Sequence, residues 1–283
     1  MTVGRAAASG QAVTYDAFER AAWQERERGY AEIFAQLTRL AAQALVSAVR
    51  VAPGQVVLEV GCGSGSVSST LVATGATLVL SDASRAMVGL ARGAAPGAGA
   101  VCAALPALPF ADDSVDAVVG GFVVNHLGDP GSALAELHRV TRAGGRIALT
   151  CWDRSPGRTA PTAVFDHALR VAGVNLPPAP AGPPALTLPG FRGLFDDALW
   201  QDAEVERLTL VHAIDPGLWW TGLITGTARI GAAFAALDER QRLAVRQAYD
   251  ELVRDRVDGH GRFRLEAVAL LGHASARPGP ASS

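Results

Sequence analysis

The chain has 283 residues, a formal net charge of -2 at pH 7 and a sequence pI near 6.3. A charge so close to zero supplies no basic surface for a nucleic acid backbone, so we expect a small-molecule partner and no nucleic acid. All basic side chains other than histidine are arginine, which excludes lysine Schiff-base chemistry and the lysine of a phosphate-binding P-loop.

The three cysteines, Cys62, Cys102 and Cys151, are widely spaced, and neither a C-x-x-C nor an H-E-x-x-H pattern occurs. We therefore expect no disulfide framework and no metal site. No apolar run approaches the roughly 18 residues of a membrane helix, and the first eleven residues do not resemble a secretion leader. These features predict a cytoplasmic protein without a membrane partner, with flexible tails at 1–13 and 276–283.

Apolar residues recur at helical spacing from residue 14 to 51, which predicts two helices separated by a break at Gly29. A short apolar strand follows at 56–60, of the kind that is covered on both faces. Further strands are predicted at 77–81, 100–103, 116–122 and 146–152, and helices at 66–74, 84–92 and 129–141. Strands that alternate with helices at this interval predict βαβ units and a parallel sheet.

The alternation weakens after Trp152. Residues 176–190 are rich in proline, which predicts a semi-rigid, extended connector. Two more strands are predicted at 205–211 and 262–271, and the segment between them, 218–256, is predicted to be mostly helical.

The stretch VLEVGCGSG places three glycines directly after the strand that ends at Val60. Glycine permits a positive φ and lets a ligand approach the main chain, and ligands bind beyond the carboxyl ends of parallel strands. The dinucleotide fingerprint G-x-G-x-x-G would need its third glycine at Ser66, and Glu59 beside the loop disfavours a pyrophosphate. The loop therefore favours a ligand with a cationic group, and an NAD-dependent oxidoreductase is the alternative.

VLEVGCGSG resembles the first motif of the class I S-adenosylmethionine-dependent methyltransferases, and the resemblance extends from residue 51 to 152. It implies an α/β fold, namely a Rossmann-like, seven-stranded, mostly parallel sheet with helices on both faces. It also implies an N-terminal helical lid at 14–50 and a helical substrate cap at 216–261. The core sheet is then expected to occupy residues 51–175, 191–215 and 262–275.

Three further landmarks carry the same resemblance. In LSDAS, Asp82 lies where the family binds the ribose hydroxyls. In ALPALPFADDSVD, Ala104 and Leu105 take the adenine position, with alanine replacing the usual polar residue. In VVGGFVVNH, Gly121 and Phe122 match the pair that contacts the cofactor. The resemblance implies that S-adenosyl-L-methionine is the cofactor and S-adenosyl-L-homocysteine the product, held by Tyr15, Glu59, Gly61, Cys62, Gly63, Gly65, Asp82, Ala83, Met87, Ala104, Leu105, Gly121 and Phe122.

Two residues at strand ends are candidate catalytic groups. His126 follows the fourth strand at the edge expected to face the transferred methyl group, so it either acts as a general base or fixes the loop. Asp153 follows the fifth strand, and it is either a second base or an ordinary turn carboxylate.

The candidate substrate-binding residues are aromatic or amide side chains near these strand ends. Trp23 in the lid is expected to cover the reacting centre, Asn125 to orient the acceptor, and Trp152 to form a wall of the pocket. Trp219 and Trp220 are adjacent on a predicted helix and cannot both face the core, so at least one is expected to reach a cavity or an interface. We expect the apolar body of the acceptor to lie there.

The preferred hypothesis is methyl transfer to a small, partly apolar acceptor, at oxygen first and at nitrogen next. Among methyltransferases, the sequence is most similar to those that tailor natural products. Two alternatives stay open: methylation at carbon of a quinone-like acceptor, and a methyltransferase-like fold that serves as a cyclase or a binding protein. We expect a monomer or a homodimer.

Overall fold

The computed structural model describes residues 14–176, 182 and 184–278. The predicted tail at 1–13 lies outside the described residues, and so do residues 279–283 of the predicted C-terminal tail. Of the predicted proline-rich connector, residues 177–181 and 183 also lie outside them.

The centre of the fold is a seven-stranded sheet with the order β3-β2-β1-β4-β5-β7-β6. Its strands are β1 Val56–Val60, β2 Thr77–Asp82, β3 Gly99–Cys102, β4 Val115–Gly120, β5 Thr141–Trp152, β6 Trp200–Ile214 and β7 Phe263–Ala276. Strands β1 to β5 pair in parallel, and β7 is antiparallel to both β5 and β6. The predicted fold, a mostly parallel α/β sheet, is confirmed.

Eleven α-helices occur in the described part of the chain. They are α1 Tyr15–Gly29, α2 Ala35–Thr38, α3 Ala42–Val49, α4 Ser68–Val72, α5 Arg85–Ala94, α6 Pro130–Val140, α7 Ala163–Val171, α8 Leu188–Arg192, α9 Pro216–Gly226, α10 Ala228–Ala235 and α11 Glu239–Arg254. A π-helical turn, Tyr30–Phe34, links α1 to α2, and a 3-10 turn, Val123–His126, follows β4. No helix among these residues is both long and apolar enough to cross a bilayer.

The α-helix α1 ends at Gly29, the predicted position, but the chain keeps its helical path there. The residue has helical angles, φ -60° and ψ -37°, and the chain continues into the π-helical turn. A Cβ atom at Gly29 would lie 2.8 Å from the carbonyl carbon of Thr225 in α9. Glycine is therefore needed here for the close approach of two helices, and not for a change of chain direction.

Three strands are longer than their patterns predict, namely β5, β7 and also β6, which spans Trp200–Ile214. β5 starts at Thr141, where it pairs with Val115, although Arg142 to Gly145 carry no apolar signal. β7 continues to Ala276, which pairs with Trp200 and is buried, so the predicted C-terminal tail begins too early. Small and polar residues can extend a strand when a neighbouring strand supplies the hydrogen bonds.

Candidate active site

A cavity of about 380 Å³ lies beyond the carboxyl ends of β1, β2 and β4, and α1 forms one of its walls. Its lining consists of Asp16, Glu19, Arg20, Trp23, Tyr30, Val60, Gly61, Gly63, Ser81, Asp82, Ala83, Ser84, Met87, Ala103, Ala104, Leu105, Pro106, Leu108, Gly121, Phe122, Val123, His126 and Leu127. The position agrees with the rule that ligands bind at the carboxyl edge of a parallel sheet.

The glycine loop presents bare main chain to this cavity at Gly61 and Gly63, which have φ angles of +59° and +52°. A Cβ atom at Gly61 would lie 2.5 Å from Cγ2 of Val123, so a side chain does not fit there. Gly65 has φ +87° but does not line the cavity. A Cβ atom at Gly65 would lie 2.5 Å from Cβ of Ala94, so this glycine allows the loop to pack on α5.

Asp82 ends β2 with its carboxylate in the cavity wall. One oxygen accepts a hydrogen bond from Gly63 N at 2.9 Å and the other from Ser84 N at 2.8 Å. Burial raises the pKa of Asp82 above its ordinary value, although these two backbone donors oppose the shift. The Ser84 side chain also caps α5 by accepting from Met87 N, and this cap fixes the start of α5 beside the carboxylate.

The wall around Asp82 is mainly apolar. Ala83, Met87, Ala104 and Leu105 all line the cavity, where the resemblance places the nucleoside base. Ala104 has no polar side chain to offer, so only main-chain groups and apolar contact are available at that position. Gly121 and Phe122 line the cavity on the side of β4.

Glu59 and Cys62 do not line the main cavity. They line a second space of about 20 Å³, which shares Tyr30, Gly61 and Gly63 with the first. The buried Glu59 carboxylate accepts a hydrogen bond from Ser68 Oγ, and burial raises the pKa of Glu59 to about 8. Burial also raises the pKa of the Cys62 thiol, so this cysteine is not a ready nucleophile.

His126 lies in the cavity lining, at the end of the 3-10 turn after β4. Its Nδ1 atom is 2.8 Å from Oε2 of Glu19, and the same oxygen accepts from Nε1 of Trp23 at 3.1 Å. The rings of Trp23 and His126 meet edge to face with centroids 4.9 Å apart. Because a carboxylate accepts only, the neutral imidazole in this contact carries its proton on Nδ1 and its lone pair on Nε2.

The cavity does not include Asp153, which corrects its prediction as a catalytic group. Its side chain is fully buried and Oδ2 accepts from Nε of Arg207 at 2.8 Å, while Oδ1 accepts from Ser155 N at 2.9 Å. Burial opposes the charge, but these hydrogen bonds hold the pKa of Asp153 below its ordinary value. The residue is half of a structural ion pair between the end of β5 and β6.

Three other predicted site residues also lie outside the cavity lining. Asn125 uses its amide within the protein, since Nδ2 donates to Phe122 O and Oδ1 accepts from Trp152 N. The indole of Trp152 is buried and stacks on Phe122 with centroids 4.2 Å apart. The hydroxyl of Tyr15 donates to Asn125 O at 3.0 Å, so Tyr15 holds α1 against the loop after β4.

Trp219 and Trp220 are both buried in the core, which corrects their prediction as acceptor contacts. Trp219 stacks on Phe34 with centroids 5.2 Å apart, and Trp220 packs against Phe165 and Tyr249. The argument that one must be exposed fails because α9 is covered on two sides, by the N-terminal helices and by α10 and α11.

The prediction missed the face that α1 turns toward the cavity. This face carries Asp16, Glu19, Arg20 and Trp23, which are spaced i, i+3, i+4 and i+7 and so share one side of a helix. The spacing was available as a signal, since Trp23 was already a candidate and Glu19 lies one turn before it. Tyr30, which lines both spaces, was also missed.

Comparison with known proteins agrees with this geometry. Residues 58–149 match the sequence model of the family described as methyltransferase domain. The demethylmenaquinone methyltransferase of Renibacterium salmoninarum is 35% identical over 135 residues, which cover 47% of this chain and 57% of that protein. The enzyme of the same name from Mycobacterium bovis is 40% identical over 110 residues, covering 39% of this chain and 46% of that protein. The chain thus spans about half the length of these curated relatives.

The fold is shared with solved structures. The YcgJ protein of Bacillus subtilis superimposes with a TM-score of 0.56 at 17% sequence identity, over 85% of this chain and 99% of that one. The matched segment 58–149 contains the glycine loop, Asp82 and His126, and so holds most of the cavity side of the sheet. Residues 58–149 therefore match a methyltransferase domain, and the glycine loop and Asp82, which the resemblance to class I S-adenosylmethionine-dependent methyltransferases singles out, lie at one cavity.

Proposed function

We propose that this protein transfers a methyl group from S-adenosylmethionine to a hydroxyl group of a small, partly apolar acceptor. The observation that carries the proposal is the His126–Glu19 pair, 2.8 Å apart, in the wall of the same cavity as the glycine loop and Asp82. A base at this place suits an acceptor that must lose a proton, whereas an amine with a free lone pair attacks without one.

The residues present fit the cofactor of the family. Gly61 and Gly63 have positive φ angles and leave bare main chain in the cavity wall. Each carboxylate oxygen of Asp82 uses one lone pair on a backbone donor and retains another for a ribose hydroxyl. Met87 and Leu105 offer apolar surface for the base. S-adenosylmethionine, when bound, supplies an already activated methyl group and leaves as a neutral thioether when its carbon–sulfur bond breaks.

The chain's own contribution is to orient the acceptor, remove its proton and exclude water. The free Nε2 of His126 accepts the hydroxyl proton, and Glu19 stabilises the imidazolium that results. A phenol has an ordinary pKa of about 10, so a base within reach raises the fraction that reacts as an oxyanion near pH 7. Trp23 packs edge to face on the His126 ring and shields one side of the pair from water.

Methylation at carbon is the second candidate, because the curated relatives are named for a quinone, demethylmenaquinone. A hydroquinone ring becomes nucleophilic at carbon when a ring hydroxyl loses its proton. The same base would therefore serve either product, and the acceptor decides between oxygen and carbon.

The test is transfer of tritium from methyl-labelled S-adenosylmethionine to a panel of simple phenols, hydroquinones and primary amines. We expect label in the phenols, and we expect His126→Ala to lower kcat at least tenfold while S-adenosylhomocysteine binds within about twofold of its original affinity. His260→Ala, which changes an exposed histidine outside the cavity lining, is the matched control.

Other outcomes separate the alternatives. Label in the amines alone, or full activity of His126→Ala, contradicts the proposed role of the base. Label on ring carbon supports the second candidate. Tight binding of S-adenosylhomocysteine with no transfer to any member of the panel favours a cyclase or a binding protein.

A further inference from the structure

Glu19 is a buried carboxylate on α1 whose placement needs an explanation. Glu19 is 6% exposed, yet no arginine among the described residues lies within salt-bridge distance of its carboxylate. Its Oε2 atom instead meets two ring nitrogens, Nδ1 of His126 at 2.8 Å and Nε1 of Trp23 at 3.1 Å. Burying a carboxylate costs free energy unless hydrogen bonds compensate, so this geometry is specific.

Several contacts hold α1 against the segment 125–128, which contains His126. The Tyr15 hydroxyl donates to Asn125 O at 3.0 Å, and Gly128 N donates to Oδ1 of Asp16 at 2.7 Å. A Cβ atom at Gly128 would lie 2.8 Å from Oδ2 of Asp16, so glycine allows the approach. Tyr15, Asp16 and Glu19 lie on one side of α1. The first two contact the main chain of this segment, and Glu19 contacts the imidazole of His126.

We propose that Glu19 is the positioning residue for His126, and that packing of α1 on the segment 125–128 assembles the pair. This inference rests on the proposed function. Glu19 accepts a hydrogen bond from Nδ1–H of His126, which fixes the ring orientation and directs the Nε2 lone pair to the acceptor. Nε2 takes the hydroxyl proton, and the resulting imidazolium keeps its partner carboxylate until the proton leaves to water. Glu19 itself touches neither acceptor nor cofactor in this role.

The charge and the acceptor oxygen of Glu19 contribute separately. Glu19→Gln retains an oxygen that Nδ1–H and Trp23 can both reach, so the ring orientation should persist without the negative charge. Glu19→Ala removes both the negative charge and the acceptor oxygen, so the Nδ1–H tautomer of His126 loses the hydrogen bond that favours it. Glu32→Gln is the matched control, because it removes an exposed carboxylate from the same N-terminal helical region away from the cavity.

The first measurement needs no acceptor or cofactor. Nitrogen-15 spectra of the full chain labelled at histidine report the tautomer of each ring, and His126→Gln identifies the signal of His126. We expect a protonated Nδ1 in the unsubstituted protein and in Glu32→Gln, and loss of that preference in Glu19→Ala. A protonated Nε2 in the unsubstituted protein overturns the inference, and so does an unchanged tautomer in a folded Glu19→Ala.

The second measurement uses the tritium transfer to phenols. Glu19→Gln should lower kcat at least tenfold and leave the KM for S-adenosylmethionine within about threefold, which keeps the inference testable if Glu19→Ala does not fold. Loss of activity in His126→Ala but not in Glu19→Gln overturns the inference alone. If the tautomer of His126 depends on Glu19 but the protein methylates no acceptor, the pairing is supported and the proposed function is rejected.

Discussion

Two carboxylates border the glycine loop, the buried Glu59 and the half-buried Asp82, and their surroundings differ. Asp82 accepts two backbone hydrogen bonds, whereas Glu59 accepts from the hydroxyl of Ser68. Burial raises the pKa of both groups, for Glu59 to about 8. Near neutral pH the ligand-free protein therefore carries a mostly protonated Glu59. A cationic group brought close to Glu59 would favour release of that proton.

The raised pKa of Glu59 makes stability depend on pH. Between the ordinary value of about 4.5 and about 8 the folded chain holds a proton that the unfolded chain has lost. The free energy of unfolding should then fall as pH rises through this range, by up to about 1.4 kcal/mol per pH unit. Glu59→Gln should remove this contribution, so that urea denaturation from pH 5 to 9 gives a flatter profile.

The pH profile of Glu59→Gln also has an outcome that would contradict a protonated Glu59. Parallel pH profiles for the unsubstituted chain and Glu59→Gln would mean that Glu59 is ionised in the folded protein. Glu32→Gln, at an exposed carboxylate, provides the comparison for a change of net charge alone.

Among elements, α9 and the N-terminal helices approach closely because small residues meet at the contact. A Cβ atom at Gly222 would lie 2.5 Å from Cγ2 of Ile33. A Cβ atom at Gly226 would lie 2.7 Å from Tyr30 N and from the carbonyl carbon of Gly29. Side chains can shift but main chain cannot do so cheaply, so Gly226 is the stricter requirement.

Gly226→Ala should therefore destabilise the protein by about 2–3 kcal/mol, the usual cost of overpacking a fitted contact. Gly89→Ala in α5 is the control, because its added Cβ would have no atom of the described residues within 4 Å apart from its own helix backbone. Alanine also favours a helix by roughly 0.5–1 kcal/mol. Thermal melts of both variants should move in opposite directions. A Gly226→Ala melt equal to that of the unsubstituted protein would mean that α9 can move away without cost.

The sequence predicted elements better than their contacts. Strand β1, the glycine loop and Asp82 follow from local patterns, because periodicity and glycine spacing act within a few residues. The burial of Trp219 and Trp220 depends on which helices cover α9, and the pairing of Asp153 with Arg207 depends on a strand 54 residues later. Such contacts depend on how distant helices and strands are arranged, and a short stretch of sequence does not reveal that arrangement.

At the scale of the whole molecule, β7 lies between β5 and β6 and joins the last part of the chain to the parallel sheet. The ion pair between Asp153 and Arg207 connects the two strands on either side of β7. Asp153 N also donates to Val268 O in β7. The pair therefore fastens three strands from different parts of the chain at the carboxyl end of β5.

Replacing Asp153 and replacing Arg207 should lower the stability of the protein by different amounts. Arg207→Ala leaves a fully buried carboxylate without its cation, whereas Asp153→Asn leaves a guanidinium that is 37% exposed and that water can solvate. We expect a loss of about 2–4 kcal/mol for Arg207→Ala and a smaller loss for Asp153→Asn, measured by urea denaturation at pH 7. The pKa of Asp153 is depressed, so the stabilisation is present above its unfolded value of about 3.9 and is lost as pH falls through the folded value. The difference in the free energy of unfolding between Arg207→Ala and the unsubstituted protein should therefore become smaller as the pH falls. If Asp153→Asn were as stable as the unsubstituted protein but had lost methyl transfer, Asp153 would have a role in the reaction itself.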